Sequence, residues 1–257
     1  MRFLLVPLTV LLASPAAAQN GYPASIAGAP PAKYADPVAA AASLEAMVAA
    51  DSTDYGALWR AAMAVIDAGQ RTPDDAKSAE RDSLYARAER LARLAASIEP
   101  DRAEGHFALA VALGRTSLTK GTRDRVRYAK EIREAAQHTL RLDPGHDGAW
   151  HVLGRWNAGI MRLSGVERFF AKNFLGGAVF DAASWDNAVR AMEQAVAIRP
   201  EWIYHRLDLA EILVDRKRWE AAREQLRTVA GLRPIDPMDP EYQGQAAALL
   251  ERIANRR

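Results

Sequence analysis

The sequence predicts an all-α fold in which helical hairpins stack into a solenoid. Alanine is abundant and runs of β-branched residues are rare, a composition that favours helices. Four segments end alike, in an amphipathic pattern closed by a proline that cannot continue a helix: LAASIEP, HTLRLDP, QAVAIRP and TVAGLRP. Such recurrence is typical of repeat arrays, so we expect residues 37–257 to form one domain of about four helix pairs with terminal capping helices.

The first 36 residues have a different character. Arg2 precedes the apolar stretch 3–13, and the small residues of 14–18 follow, which predicts a signal peptide over 1–18 with cleavage before Gln19. Residues 19–36 contain several glycines and prolines and predict a flexible leader. The alternative is an uncleaved membrane anchor, but the apolar stretch is shorter than the ~20 residues that span a bilayer.

Composition narrows the expected environment and partners. Hydrophobic residues make up 49% and charged residues 26%, which is typical of folded soluble proteins. The chain has no cysteine for a disulfide or for a lipid anchor at the cleavage site. We therefore expect a soluble exported protein, periplasmic or secreted, with no transmembrane helix after cleavage. The net charge of +2 argues against nucleic acid as a partner.

Repeat length and side-chain pattern identify the type of hairpin. The closing prolines Pro100, Pro144, Pro200 and Pro234 lie 44, 56 and 34 residues apart, and the last spacing is that of a tetratricopeptide repeat. The chain resembles tetratricopeptide-repeat proteins over about residues 54–234. The register is marked by Trp150, Leu153 and Gly154 in the third unit, and by the small residues Ala62, Ala110 and Ala210 in the others. We expect these small residues to let paired helices approach closely.

The spacings above 34 predict extra residues in the first three units. We expect them between the first and second helices of each unit, along one edge of the stack. The sequence Thr72-Pro73-Asp74-Asp75 predicts the start of a long helix that runs to about Ile98. Asp36-Pro37 and Asp239-Pro240 predict the starts of the two capping helices.

Three segments are similar to a narrower family, the regulators of microtubule dynamics. They are AWHVLGRWNAGIMRLSGVERFFAKNFLGG (149–177), DRKRWEAAREQL (215–226) and DPMDPEYQGQAAALLERI (236–253). The resemblance implies an all-α interaction domain whose relatives associate with microtubules and with phospholipids at organelle contacts. A bacterial envelope contains no microtubules, so the predicted export signal argues against that role, and peptide or lipid binding is kept. In this family pattern Trp156 is expected to anchor the long insertion.

The sequence offers little for metal or catalytic chemistry. His146 and His151 are five residues apart near Asp143 and Asp147, but this spacing does not place two ligands on one helical face. There is no H-E-x-x-H, G-x-S-x-G, phosphate-binding loop or cysteine nucleophile. We predict no metal, no cofactor and no enzymatic activity.

Repeat arrays bind partners on the concave face, which is lined by first helices. The register predicts an apolar wall in the first two units and a polar wall in the last two. The lining residues are Trp59, Met63 and Ile66; Phe107 and Val111; His151 and Arg155; and Tyr204, Leu207 and Glu211. Such a gradient suits an acyl chain or a peptide helix with one charged end, whose phosphate or carboxylate would meet Arg155. The alternative is that Arg155 pairs with Glu211 and the aromatic side chains only pack.

Two other surfaces have alternative interpretations. Residues 115–133 carry seven basic side chains, which either touch anionic lipid headgroups or form a solvated helix face. The apolar stripe of Val166, Phe169, Phe170 and Phe174 is either a membrane-surface helix or a lid packed on the repeat. The leading hypothesis is an exported, non-enzymatic repeat protein that binds a peptide or protein partner in its groove. The second is a glycerophospholipid-binding or transfer module.

Overall fold

A computed structural model describes residues 36–72, 77–164, 169 and 177–256. The predicted signal peptide and all but the last residue of the predicted leader lie outside the described residues. The described chain forms ten α-helices, one 3-10 helix and no strand, as the sequence predicts. The helices are α1 (Pro37–Ala50), α2 (Tyr55–Gln70), α3 (Ala79–Ile98), α4 (Ala103–Leu118), α5 (Thr122–Leu142), α6 (Asp147–Arg162), α7 (Trp185–Ile198), α8 (Ile203–Asp215), α9 (Trp219–Gly231) and α10 (Asp239–Ile253), with the 3-10 helix at Gly177–Ala182.

The helices pair as α2–α3, α4–α5, α6–α7 and α8–α9, and consecutive pairs stack. The first helices α2, α4, α6 and α8 contact one another in turn and form one face of the stack. Helix α1 packs on α2, while α10 packs on α8 and α9. The predicted helical-hairpin solenoid with terminal capping helices is therefore confirmed.

Two of the three predicted helix starts are found in the structure. The Asp36 carboxylate accepts hydrogen bonds from Val38 N at 3.0 Å and Ala39 N at 3.2 Å, which confirms the predicted start of α1. Helix α10 begins at Asp239, also as predicted. The predicted helix start at Thr72 is wrong. Thr72 lies in a bend and residues 73–76 lie outside the described part, while α3 begins at Ala79 with Ser78 as its N-cap, because Ser78 Oγ accepts from Arg81 N at 3.2 Å.

The extra length is distributed differently from the prediction. In the third pair it lies between Arg162 and Trp185, where the 3-10 helix is found. In the second pair α4 ends at Leu118 and α5 begins at Thr122, so the linker is short. There the extra residues lengthen α5 to 21 residues, and the expectation of an insertion between these two helices is wrong.

The predicted small residues sit where helices come closest. Ala62, Ala110 and Ala210 are buried. A Cβ added to Gly154 would lie 2.9 Å from Met192 Cε and 3.4 Å from the Ala188 carbonyl oxygen on α7. Glycine at this position therefore permits the close α6–α7 contact.

None of the described helices combines the length and apolar character that crossing a membrane requires.

At each of three junctions between helix pairs, a side-chain nitrogen contacts the carbonyl oxygen of the closing proline, a contact that we call a brace. His106 Nε2 lies 2.8 Å from the Pro100 carbonyl oxygen, Trp150 Nε1 donates to Pro144 O at 3.0 Å, and Arg206 Nε donates to Pro200 O at 2.7 Å. In every case the nitrogen belongs to the fourth residue of a first helix. The closing proline thus ends one pair and also accepts a hydrogen bond from the next.

Candidate ligand-binding groove

The apolar part of the predicted groove is largely inside the protein. Trp59 is 4% exposed and Phe107 is 6% exposed, and Ile66 and Leu207 are also buried. The Phe107 ring packs on His146, with ring centroids 4.3 Å apart. These side chains pack between helices. For the aromatic residues this agrees with the alternative interpretation, in which they pack and do not bind a ligand.

Part of this wall stays accessible. Met63 and Val111 are half-buried at the edge of the core cluster formed by the first two pairs. Within the predicted apolar wall, these two side chains remain accessible to an apolar group of a ligand, and their binding role stays a prediction.

The polar part of the groove is built around two buried histidines from neighbouring first helices. His151 on α6 and His205 on α8 face each other, with their Nδ1 atoms 2.8 Å apart. At its other ring nitrogen, His205 Nε2 contacts Asp147 Oδ2 at 2.9 Å. His151 Nε2 lies 2.9 Å from Asp208 Oδ2, a close electrostatic contact without the alignment of a good hydrogen bond. The two imidazoles therefore bridge two buried carboxylates.

Each carboxylate also meets a guanidinium group. Arg155 Nη1 donates to both Asp208 oxygens at 2.9 Å, and Arg199 Nε lies 3.9 Å from Asp147 Oδ1. Burial by itself would raise the pKa of Asp208, but Arg155 and His151 hold that pKa well below its usual range. The predicted alternative pairing of Arg155 with Glu211 is wrong, because Asp208, one turn earlier on α8, lies within hydrogen-bond distance of it.

Aromatic rings cover this network. Tyr204 stacks on His151 with centroids 4.4 Å apart, and Tyr242 of the capping helix α10 stacks on Tyr204 at 4.9 Å. Trp202 stacks on His205 at 5.7 Å. Burial lowers the pKa of His151 to about 4, despite the opposing effect of Asp208. His151 is therefore neutral at pH 7.

Only the Arg155 end of the network reaches solvent. The Arg155 side chain is 46% exposed and borders a shallow depression together with Ala158, Arg162, Glu211 and Ile212. On the rim, Arg162 Nη2 lies 2.7 Å from Asp215 Oδ2 and 3.9 Å from Glu211 Oε2. Burial raises the pKa of Glu211, and the nearby Asp208 charge adds to this effect. The accessible part of the groove is thus a strip of alternating charges.

The histidines that the sequence analysis weighed and rejected as metal ligands have other roles. His146 is the N-cap of α6, where its Nδ1 accepts from Ala149 N at 3.2 Å. Between His151 and His205 the 2.8 Å separation is too short for an ion that needs ~2 Å to each nitrogen. Among the described residues, no group of three or more potential ligands is arranged to hold a metal ion.

Trp156 belongs to the cluster on which the described end of the long insertion packs. Its Nε1 donates to Ala129 O at 2.7 Å, and Phe180 of the 3-10 helix packs against the same cluster. Next to it, Asn157 Oδ1 accepts from Ser184 N at 3.1 Å. These contacts fix the C-terminal end of the insertion on α6.

The two surfaces proposed for lipid contact are only partly described. Arg125 binds the carbonyl oxygens of Ser117, Leu118 and Lys120 at the end of α4, and Arg133 lies over the Trp156 ring at 5.6 Å. Much of the basic face is thereby used within the chain. Of the apolar stripe only Phe169 lies in the described residues, and it is 58% exposed. Headgroup contact by either surface stays a prediction.

Sequence reasoning singled out His151 and Arg155 but assigned no groove role to Asp208, His205 and Asp147. A signal was present. Asp147, His151 and Arg155 follow at intervals of four residues and share one face of α6, while His205 and Asp208 share one face of α8. Two polar stripes on consecutive first helices predict a buried polar interface when read together.

A family model and a solved tetratricopeptide-repeat structure match this chain. The model of the family described as regulator of microtubule dynamics protein 1-3 matches residues 33–254. A search of curated proteins finds no match. A thermophilic tetratricopeptide-repeat protein, TTC0263 of Thermus thermophilus, superposes with a TM-score of 0.57 at 18% identity, over 84% of this chain and 91% of that chain. A crystal structure of MamA gives a TM-score of 0.45 at 14% identity, over 83% of this chain and 92% of that chain. At these identities TTC0263 supports the fold alone.

Proposed function

The chain belongs to the regulator of microtubule dynamics protein 1-3 family, and from this premise we propose that it is an exported, non-enzymatic scaffold that binds a peptide segment of a partner protein along its first helices. Its tetratricopeptide-like fold is that of a protein-interaction scaffold. The predicted signal peptide supports export, and the family's association with microtubules is not part of the proposal.

The observation that carries the proposal is the state of Arg155. Its Nη1 is held by both oxygens of the buried Asp208, which anchors the guanidinium group at one nitrogen. Its Nε and Nη2 have no partner among the described residues, and the side chain is half-exposed. A guanidinium fixed in this way can receive a carboxylate without losing much conformational freedom. We propose that it binds an acidic side chain or the C-terminal carboxylate of the peptide.

The neighbouring charges favour a peptide over a lipid. Glu211 and Asp215 lie beside Arg155 and Arg162, so the accessible strip offers both signs of charge within one helix turn of α8. A peptide with acidic and basic side chains in alternation matches this pattern. An acyl chain would need the apolar wall, whose large side chains Trp59 and Phe107 are buried in the core.

Site-specific photo-crosslinking tests the proposal in cells that produce the full chain. A photoreactive amino acid is placed at Met63 or Glu211 in the groove, or at the exposed Glu193 on the outer helix α7 as the matched control. We expect both groove positions, and not Glu193, to crosslink the same partner peptide, which mass spectrometry then maps. Arg155→Glu should abolish the crosslink, and Arg155→Lys should retain part of it.

Equal crosslinking from Glu193, or crosslinks that Arg155→Glu leaves unchanged, would contradict the groove assignment. Native mass spectrometry of the gently purified protein tests the lipid alternative, since a stoichiometric glycerophospholipid adduct would favour it. The mass of the mature chain tests export, because cleavage before Gln19 should remove residues 1–18.

A further inference from the structure

The turn between α8 and α9 carries three consecutive cations, Arg216, Lys217 and Arg218, and all three residues are exposed. The C-terminal end of α10 adds the exposed Arg252 and Arg256. Within the described part of the chain, none of these five side chains forms an ion pair with an acid. We call the five residues the cationic patch.

The two parts of the cationic patch lie side by side because Arg223 of α9 connects them. Its Nη1 donates to the carbonyl oxygen of Ile253 at 3.0 Å and to that of Arg256 at 3.1 Å. The end of α10 is thereby held against the first turns of α9, directly after the three cations. The neighbouring Glu220 is shared by Arg223 at 2.8 Å and Arg227 at 3.2 Å, so its charge is already balanced.

Local structure explains only some of these charges. Arg216 and Arg252 lie at the C-terminal ends of α8 and α10, where the helix dipole favours a cation. Lys217 has a φ of 55°, in the left-handed region that favours glycine. Arg218 is the N-cap of α9 and makes no capping hydrogen bond, although Ser, Thr, Asp or Asn is preferred there and the dipole opposes a cation. Folding therefore disfavours both residues, which indicates that their charges act in binding.

We propose that the cationic patch binds an acidic segment of the partner protein, next to the stretch of the partner that occupies the groove. This rests on the proposed function, which takes the ligand to be a peptide. The accessible strip of the groove ends at Asp215, whose Oδ2 lies 2.7 Å from Arg162 Nη2, and Arg216 follows directly. A peptide that runs along the strip towards the C-terminal end of α8 therefore reaches the patch.

The composition of the patch favours an acidic peptide over an anionic bilayer. Arginine and lysine side chains are long, and the guanidinium fork pairs with carboxylates. A surface that lies in a membrane interface also buries apolar side chains among the lipids. Large exposed apolar residues in the described chain are Val38, Met47, Leu94, Leu118 and Phe169, and none of them belongs to α8, α9 or α10. The described part of this surface thus offers no large apolar side chain for insertion.

Fluorescence anisotropy with a labelled octaglutamate peptide tests the patch on the purified full chain at low salt. We expect the triple variant Arg216→Gln, Lys217→Gln, Arg218→Gln to bind about tenfold more weakly, since each exposed ion pair contributes up to about fivefold. Binding by the wild type should weaken as salt rises, because exposed charges are screened.

The matched control removes the same charge from another basic surface, around the start of α5. The triple variant Lys120→Gln, Arg123→Gln, Arg127→Gln should change octaglutamate binding by less than about twofold. Equal losses in the two triple variants would overturn the proposal, because attraction would then depend on net charge alone. Binding to phosphatidylglycerol vesicles without binding to octaglutamate would overturn it too, and would assign the patch to a membrane.

A single variant separates binding from folding. Lys217→Gly should weaken octaglutamate binding by about twofold to fivefold while it raises stability in urea, and Lys217→Arg should bind like the wild type. If Lys217→Gly changes stability alone, this lysine does not contact the acidic segment and the assignment of the turn is wrong.

Crosslinking in cells distinguishes failure of the patch from failure of the groove. A photoreactive amino acid at the exposed Asn255, beside the patch, should crosslink an acidic segment of the partner that is reached from Met63 and Glu211. If octaglutamate binding depends on the patch but Met63 and Glu211 form no crosslink, the groove assignment fails and the patch stands. Groove crosslinks without any octaglutamate binding would overturn the patch and leave the proposed function in place.

Discussion

The first two helix pairs and the last two solve the same packing problem with different chemistry. Between α2 and α4 the contacts are made by alanine and large apolar side chains, such as Leu58, Ala62 and Ala108, and by Tyr55, whose hydroxyl accepts from Gly105 N at 2.8 Å. Between α6 and α8 the matching interface is a buried chain of histidines and aspartates. The fold therefore specifies the helix positions but not the chemistry of the interface. An ionic interface contributes less net stability than an apolar one but adds sensitivity to pH.

The largest expected effect comes from breaking the ionic interface at its centre. Asp208→Ala removes the acceptor of Arg155 and the partner of His151, and leaves the remaining charges uncompensated in the interior. We expect a loss of about 3–5 kcal/mol of stability, measured by urea unfolding. The matched control is Asp215→Ala on the same helix, which breaks a half-exposed ion pair with Arg162 and should change stability by no more than about 1 kcal/mol. Equal losses in the two variants would mean that burial of the network contributes nothing.

Acid should destabilise the last two helix pairs before the first two. Burial lowers the pKa of His151 to about 4, from an ordinary value of 6.5. The unfolded chain therefore binds a proton first as pH falls, and stability present above pH 6.5 is lost towards pH 4, by about 2–3 kcal/mol. Hydrogen exchange, corrected for intrinsic rates, should show α6 and α8 losing protection before α2 and α4. If α2 and α4 open first, the acid sensitivity lies elsewhere.

Close helix contact, by contrast, should be equally important in both halves. A Cβ at Gly105 would lie 3.1 Å from Ala96 N, and one at Gly154 would lie 2.9 Å from Met192 Cε. We expect Gly105→Leu and Gly154→Leu each to destabilise the protein by about 1–3 kcal/mol in thermal unfolding. Gly114→Ala is the control, since nothing lies within 4 Å of the added atom, and it should stabilise α4 by about 0.5–1 kcal/mol. A much smaller loss at one of the two leucine variants would show that this half repacks more easily.

The smallest effect concerns the turn that joins α8 to α9. Lys217 is the only non-glycine with positive φ in the described part of the chain, at 55°. This conformation is unfavourable for a residue with a Cβ, so Lys217→Gly should raise stability by up to about 1 kcal/mol. Arg216→Gly, at φ −85°, should lower it instead. Calorimetry of both variants checks the opposite signs, and two changes of the same sign would rule out the strain at Lys217.

What the sequence revealed about the fold was encoded locally. The closing prolines, the Asp36-Pro37 start and the small residue at Gly154 each act within a few residues of themselves, so their pattern predicts their structure. The prediction of a helix start at Thr72 was wrong because it too used only local sequence. Thr72 has the composition of a helix cap, but Ser78 is the residue whose side chain bonds to the start of α3.

The site was less predictable because its partners are distant in sequence. The alternative to ligand binding paired Arg155 with Glu211, yet Arg155 binds Asp208, since the axial offset of α8 against α6 decides which turn lies opposite. That offset is set by packing along the whole interface, so it cannot be predicted from Arg155 or Asp208 alone. The burial of Trp59 and Phe107 likewise depends on how closely neighbouring first helices approach.

The braces at Pro100, Pro144 and Pro200 have a consequence for how such chains are compared. Their donors are a histidine, a tryptophan and an arginine, which share no size, charge or shape. They share one N–H group that reaches a carbonyl oxygen six residues earlier. One of these side chains can therefore replace another during evolution while the contact to the proline carbonyl oxygen is kept. An alignment column that collects all three would look unconstrained, although every member performs the same mechanical task.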